Sequence, residues 1–440
     1  MWLSCPSADV PCGAGHGRGI RQYVPGGCAE CTAWTRPKGG ALVERRGTRT
    51  AREHVSSPIF GGRRDRRIRD IVEGLDRLSR TTGVWEIVDR NHANGRFLAD
   101  LGIALLDRYG HDPQPAWQYR DVFDRLLRTL TLAHGSKNVG QAMRMTSGGR
   151  HGASPRYVAS LLASGQSAQD LAGAFSDPDA RGSASAELRA CLLQELVIRG
   201  AQIDDIQTIA HWAASDAWTS HLLSWLPLSR AAIEDDPPLP TYGMGGDAYS
   251  QPFAPYDMPP LQRVVATWPP SCASEITTGP RASAMAAAVA NWADQSNGRS
   301  EARVFEFAEA VPSDHVAQAL LAVDLACLQG LQSPLDLACT AIPPAQAWRI
   351  LFAAASLGGA YNRGEYGAYG RLAVWQSLAG LTDAPAGASV AEVQRYVDVV
   401  RWYRFAAPSD WFDQVAWDLG LAALTPDGRR LMVLAATDTD

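Results

Sequence analysis

No apolar run in this 440-residue chain reaches the ~18 residues that a membrane-spanning helix requires. The most apolar stretches, 282–292 and 317–328, are too short, and Asp324 interrupts the second. The first residues also lack the apolar stretch of a secretion signal, so the expected location is the cytoplasm, with no membrane partner. Basic side chains are scarce beyond residue 70. Residues 1–70 carry 13 Arg or Lys against 6 Asp or Glu, which leaves 28 basic and 40 acidic side chains for the rest. An acidic body without a basic stripe argues against nucleic acid as a partner, because phosphate contacts need one. Lysine is nearly missing: Lys38 and Lys137 stand against 39 arginines. Together with abundant alanine this suggests a GC-rich genome, in which upstream frames stay open. The head of the chain is then expected to be an over-extended start, with Val43 and Val55 as alternative first codons.

Catalytic motifs are absent too. There is no GxSxG elbow, no HExxH and no pair of histidines at i, i+4. Gly135-Ser136-Lys137 resembles the end of a phosphate loop, but Leu130 stands where that loop needs a glycine. Cys28 and Cys31 have zinc-like CxxC spacing, yet Cys5 and Cys12 do not form the second close pair. Cys191, Cys272, Cys327 and Cys339 are dispersed, mostly in apolar surroundings, and read as buried free thiols. Asp438-Thr439-Asp440 has the form of a metal-binding DxD but sits at the chain end. The reading is therefore no metal and no cofactor.

What is present is a globular composition, 46% hydrophobic and 20% charged, in a chain long enough for two or three domains. Residues 1–67 are rich in Gly, Arg, Pro and Cys without sustained periodicity, and are expected to be disordered. From Ile68 an i, i+3, i+4, i+7 stripe begins with Ile71, Val72, Leu75 and Leu78. Asn94 can cap a second helix through Phe97 to Leu105, and Pro115 can open a third through Tyr119 to Leu130. Shorter helices follow, then a long one over 183–199. Residues 68–226 thus read as an all-helical domain. Residues 227–260, with seven prolines between Pro237 and Pro260 and the run Gly243-Met244-Gly245-Gly246, read as a linker or surface loop. Residues 261–440 read as a mixed domain. Strands are expected over 261–268, 302–307 and 431–434, and helices over 282–292, 312–328, 344–357, 390–405 and 410–424. The expected fold class is mainly α, an N-terminal helical domain followed by a C-terminal α+β domain with a small sheet.

The stretch 358–375, GGAYNRGEYGAYGRLAVW, organises this second half. Gly364, Gly367 and Gly370 recur every third residue with Tyr361, Tyr366 and Tyr369 among them. On a helix, glycines so spaced leave a bare ridge for a crossing backbone, with tyrosines along its sides. Each glycine costs about 1 kcal/mol relative to alanine in a helix interior, so close packing or a ligand must offset it. A site here would be built on Glu365, Tyr366, Tyr369 and Arg371. Elsewhere, Asp410, Asp413 and Asp418 form an acidic cluster around Trp411, Phe412 and Trp417. His211 and His221 lie among Trp212, Trp218 and Trp225, where a lone histidine is more often a hydrogen-bonded boundary residue than a catalyst.

On YNRGEYGAYGRLAVWQSLAGL (361–381), WFDQVAWDLGLAAL (411–424) and RRLMVLAATDTD (429–440), the second half resembles an uncharacterised family of unknown function from high-GC actinobacteria. The resemblance is carried by 261–440, is weaker over 68–226 and does not reach the head. It implies no activity, substrate or catalytic residue. The residues themselves favour a binding or scaffolding protein with an unknown protein partner. The alternative is an enzyme with a small-molecule site in a cleft near 358–375.

Overall fold

The sequence places its longest apolar helix pattern just after Glu365, and in the computed structural model most of that helix is buried, with Gln376 exposed. The structure describes residues 63–146, 153–176, 184–248, 272–331, 336–412 and 417–438. The expectations for the head, including its four cysteines, and for a strand over 261–268 lie outside these residues.

Ten helices of the N-terminal half are α1 (Arg63–Gly74), α2 (Thr82–Arg90), α3 (Gly95–Tyr109), α4 (Trp117–Leu132), α5 (Ser136–Thr146), α6 (Pro155–Gly165), α7 (Ala168–Leu171), α8 (Ala186–Ile198), α9 (Gln207–Ala213) and α10 (Asp216–Thr219). Helix α1 begins at Arg63, ahead of the apolar stripe. Asn94 caps α3 as its sequence suggests, accepting from Phe97 N at 3.2 Å. The run Gly243-Met244-Gly245-Gly246, read from sequence as part of a linker or surface loop, closes a hairpin of β1 (Thr241–Gly243) and β2 (Gly246–Ala248). Arg125 and Arg128 of α4 dock it by donating to the carbonyls of Met244 and Gly243.

The C-terminal half runs β3 (Ala273–Glu275), α11 (Gly279–Met285), α12 (Ala290–Gln295), β4 (Arg299–Phe307), α13 (Val316–Ala322), β5 (Ala338–Ile342), α14 (Pro344–Leu357), α15 (Tyr366–Leu381), α16 (Val390–Val399), β6 (Arg401–Ala406), β7 (Trp417–Leu424) and β8 (Arg430–Asp438). Its six strands form one antiparallel sheet in the order β3-β4-β8-β7-β6-β5. Two helix expectations are corrected here. Residues 401–405 leave the helix expected over 390–405 to form β6, and the helix expected over 410–424 is β7 from Trp417 onward. Both strands are buried on both faces, so apolar residues stand at consecutive positions (Trp402-Tyr403, Leu421 to Leu424) and the alternation that marks a half-buried strand is lost.

Alternation in β8 sorts its side chains between two cores. Met432, Leu434 and Ala436 face a large core shared with α14, α15 and the N-terminal helices. Leu431, Val433 and Ala435 face a smaller one closed by α13. The large core runs without a break from Ile68 to Ala436, and the described residues belong to one compact unit.

Helix α15 sits where these parts meet, and its glycines explain how. A Cβ on Gly370 would stand 3.0 Å from Ser356 Cβ and 3.1 Å from Ser356 Cα, so α14 crosses almost backbone to backbone. At Gly380 it would meet Met285 N of α11 at 2.6 Å. Gly364 lies before the helix rather than on it, at φ +63°, where only glycine is at ease. Most of the remaining α15 side chains are buried as well, with Gln376 the exposed exception.

Candidate functional site

Helix α15 has polar groups at both ends and in its interior, and the four residues singled out in sequence divide between two of these places. Arg371 lies fully buried on the side facing α8. Its Nε donates to Glu234 Oε1 at 2.7 Å and its two terminal nitrogens to Glu234 Oε2 at 2.7 Å, Ser229 O at 2.8 Å, Pro227 O at 2.9 Å and Gln194 Oε1. All five N–H groups are thereby used. Glu234 is equally saturated, since Trp375 Nε1 reaches Oε1 at 2.7 Å and Ala231 N reaches Oε2 at 2.8 Å. This buried pair ties α15 to the segment after α10 and leaves no donor for a ligand.

Glu365, Tyr366 and Tyr369 gather instead at the N-terminal end of α15, around α6. Arg156 pairs with Glu365 and lies 3.5 Å over the Tyr369 ring. The next residue, Tyr157, has its ring 5.6 Å from that of Tyr366 and donates its hydroxyl to Asp124 at 2.6 Å. Arg128 completes this cluster by bridging Asp124 and Asp247, each at 2.7 Å. Tyr366 holds a left-handed backbone, φ +57°, an uncommon conformation for a side chain of this size. Burial pushes its hydroxyl up to about 12 and does the same for Tyr369, to which the Glu187 carboxylate adds. Behind them, the fully buried Glu195 accepts from Gly367 N at 2.7 Å and Ala368 N at 3.2 Å. Its carboxylate occupies the N-terminus of α15, where the helix dipole favours an anion.

Glu187 is the hub of a further group that sequence reading missed. His221 Nε2 lies 2.9 Å from Glu187 Oε2, Cys191 Sγ is 3.6 Å from Oε1, and Tyr369 hydrogen-bonds the same carboxylate. Burial raises the Glu187 carboxyl, but these partners outweigh it and hold it below the usual range. Burial also pushes the Cys191 thiol far up, as do the charges of Glu187 and Glu195. A thiol so protonated is no nucleophile, so this triad-like grouping has the residue types of an acyl-transfer site without its activated member. His221, read from sequence as a hydrogen-bonded boundary residue, has both ring nitrogens engaged, the second accepting from Leu223 N at 3.1 Å.

At the other end of α15 a cavity of about 500 Å³ opens between α11, α15, the turn 222–225 and the loop 383–388. Its wall is largely Leu222, Trp225, Ala284, Leu372, Ala379 and the Ala/Gly/Pro residues of the loop. The titratable side chains lining it are Arg281 and Asp383, which pair with each other, and Asp383 also binds Arg430 at 2.6 Å. Asp383 too has a left-handed backbone, φ +59°, at the end of the helix. No periodicity signals this cavity. Its one trace in the sequence is the small-residue run Ala384-Pro385-Ala386-Gly387-Ala388, which builds a wall without filling the space behind it. A second recess of about 460 Å³, lined by Tyr396 and Val399 of α16, lies on the other side of that run.

The acidic–aromatic cluster does not assemble as a site. Asp418 accepts from Thr437 Oγ1 within the sheet at 2.6 Å, and Asp410 lies exposed. Asp413 is outside the described residues, as are Thr439 and Asp440 of the DxD, whose Asp438 is buried and accepts from Ala360 N at 2.6 Å. Among the described residues no group of three or more His, Cys, Asp and Glu could hold a metal ion, and no helix is long and apolar enough to cross a membrane.

No curated protein and no solved structure gives a significant match to this chain. A family model does match, over residues 82–440, taking in the N-terminal helices from α2 onward, the cavity and the whole sheet. The chain therefore belongs to the family of unknown function DUF6183.

Proposed function

We propose that this protein is a binding protein rather than an enzyme, and that the cavity at the C-terminal end of α15 is where it binds. The observation carrying this reading is the make-up of the cavity wall. It has the volume and apolar lining of a ligand site, but its titratable groups, Arg281 and Asp383, neutralise each other. A general base must be free to take a proton, and an Asp383 held by two arginines is not. An apolar group with a polar end fits this wall, its polar end directed to Gln376 or the Arg281–Asp383 pair. Leu222, 60% exposed at the rim, extends the apolar surface outward, as suits an apolar group carried by a partner protein.

A cytoplasmic setting in a high-GC actinobacterium belongs to the same proposal. So does the exclusion of nucleic acid, supported by the acidic charge of the chain beyond residue 70. The residues Glu365, Tyr366 and Tyr369 then serve to fix α15 against α6 and α8. Arg371 does the same against Glu234.

Titration with anilinonaphthalene sulfonate, which fluoresces in apolar sites, tests the reading. The folded parent should bind it saturably, and Ala284→Phe, which places a ring in the cavity, should abolish that binding with the melting transition retained. Equal binding by both proteins would reject the cavity as the site.

A further inference from the structure

We propose that His221 is a proton-sensitive latch on the cavity: a proton added at its Nδ1 frees the turn Leu222–Trp225 and weakens what the cavity holds. This rests on the reading of the cavity as a binding site and adds its regulation.

The turn 222–225 begins on His221, whose Nδ1 accepts from Leu223 N at 3.1 Å. That nitrogen must therefore carry a lone pair, and the ring proton sits on Nε2, 2.9 Å from Glu187 Oε2. Both partners are satisfied only by the neutral ring in this one tautomer. When the ring takes a second proton, Nδ1 becomes a donor facing the Leu223 N–H, and the two repel.

The ring is not the part that yields. Glu187 holds one edge, and Trp218 of α10, itself buried, stacks on its face at 6.4 Å and 6°. The other groups around it act through Glu187: Cys191 from α8 and Tyr369 from α15 both bond that carboxylate. Arg156 of α6 lies beyond the Tyr369 ring. The turn itself, Leu-Leu-Ser-Trp, contributes no charge. Glu187 thus pins the ring, so the displaced group is the Leu223 peptide. Leu222 and Trp225, which come from this turn, both line the cavity. Trp225 Nε1 also donates to Ala388 O at 3.1 Å, so movement of the turn passes to the loop forming another wall.

The test pairs a local readout with a binding one, on the full chain and on His221→Asn. Asparagine keeps an acceptor for the Leu223 N–H but does not titrate. In the parent, lowering the pH from about 7.5 to about 5.5 should move the Leu223 amide proton resonance in step with the His221 ring protons. Over the same interval anilinonaphthalene sulfonate should lose affinity about fivefold, the worth of one hydrogen bond. In His221→Asn both should stay flat. A Leu223 amide indifferent to pH in the parent, or one that shifts equally in His221→Asn, overturns the latch. A probe that fails to bind the parent at neutral pH overturns the cavity reading alone, because the Leu223 amide then decides the latch by itself.

Discussion

Glu234→Gln is the most demanding perturbation of the account of α15, because it keeps the shape of the side chain and removes only its charge. Arg371 and Glu234 are both fully enclosed, with side chains 0% exposed. In the parent, Glu234 accepts from Arg371 twice, from Trp375 Nε1 and from Ala231 N. Glutamine offers one oxygen for these four donors and turns an NH2 toward two of them. The guanidinium is left charged, buried and without a counter-charge, which costs about 3–5 kcal/mol when one member of such a pair is lost. Set against a total stability of about 5–15 kcal/mol, this is a large fraction. Urea unfolding followed by far-UV circular dichroism measures it. The double variant Arg371→Met/Glu234→Gln removes the stranded charge and should recover a substantial part of the loss, because most of the penalty is desolvation of the orphan. A Glu234→Gln protein within about 1 kcal/mol of the parent would behave like one lacking an exposed ion pair, and the claim that this pair fixes α15 would fall.

Two further expectations follow from the N-terminal end of the same helix. Gly367→Leu places a Cβ 2.6–2.9 Å from the Glu195 carboxylate atoms and drives that carboxylate off the amides of 367 and 368. Denaturant melts should show a loss of about 1–3 kcal/mol, whereas Glu365→Ala, which breaks the partly exposed pair with Arg156 and a long, exposed hydrogen bond from Gln295, should cost less than about 1 kcal/mol. A reversed order would place the structural weight on Glu365 instead. The second expectation is pH-dependent. Tyr366 and Tyr369 are pushed up to about 12, chiefly by burial. Above the ordinary tyrosine range of about 10 the unfolded chain sheds protons that the folded one keeps. Stability should therefore be intact below about pH 10 and decline toward about pH 12. Melting midpoints read alongside tyrosinate absorbance check this, and Tyr366→Phe should flatten the decline; an identical decline in that variant would remove Tyr366 from its causes.

Much of the helical architecture was legible because its signals are local. Ile68 to Leu78 shows a stripe, Asn94 a cap and Pro155 a first-turn proline, and each fixes an element without help from the rest of the chain. The glycines of 358–375 announced close approach, and the crossing of α14 at Gly370 is that approach. Strands β6 and β7 were not legible, because burial on both faces erases the alternation that identifies a strand. The same limit applies to the candidate site. Glu365, Tyr366 and Tyr369 are near one another in sequence, so their grouping could be foreseen. Arg371 was foreseen as part of that group, but its partner Glu234 lies 137 residues away and draws it elsewhere. The cavity is a gap between four segments, and no single segment carries a mark of what its neighbours leave empty.

The central claim, that this chain binds through the cavity beside α15, is tested most directly by a crystal structure of the protein soaked with anilinonaphthalene sulfonate. Density for the probe is expected between Ala284, Leu372, Ala379 and the loop 383–388, with its sulfonate toward Arg281 or Gln376. Density only at other surfaces, with the cavity holding water alone, would contradict it.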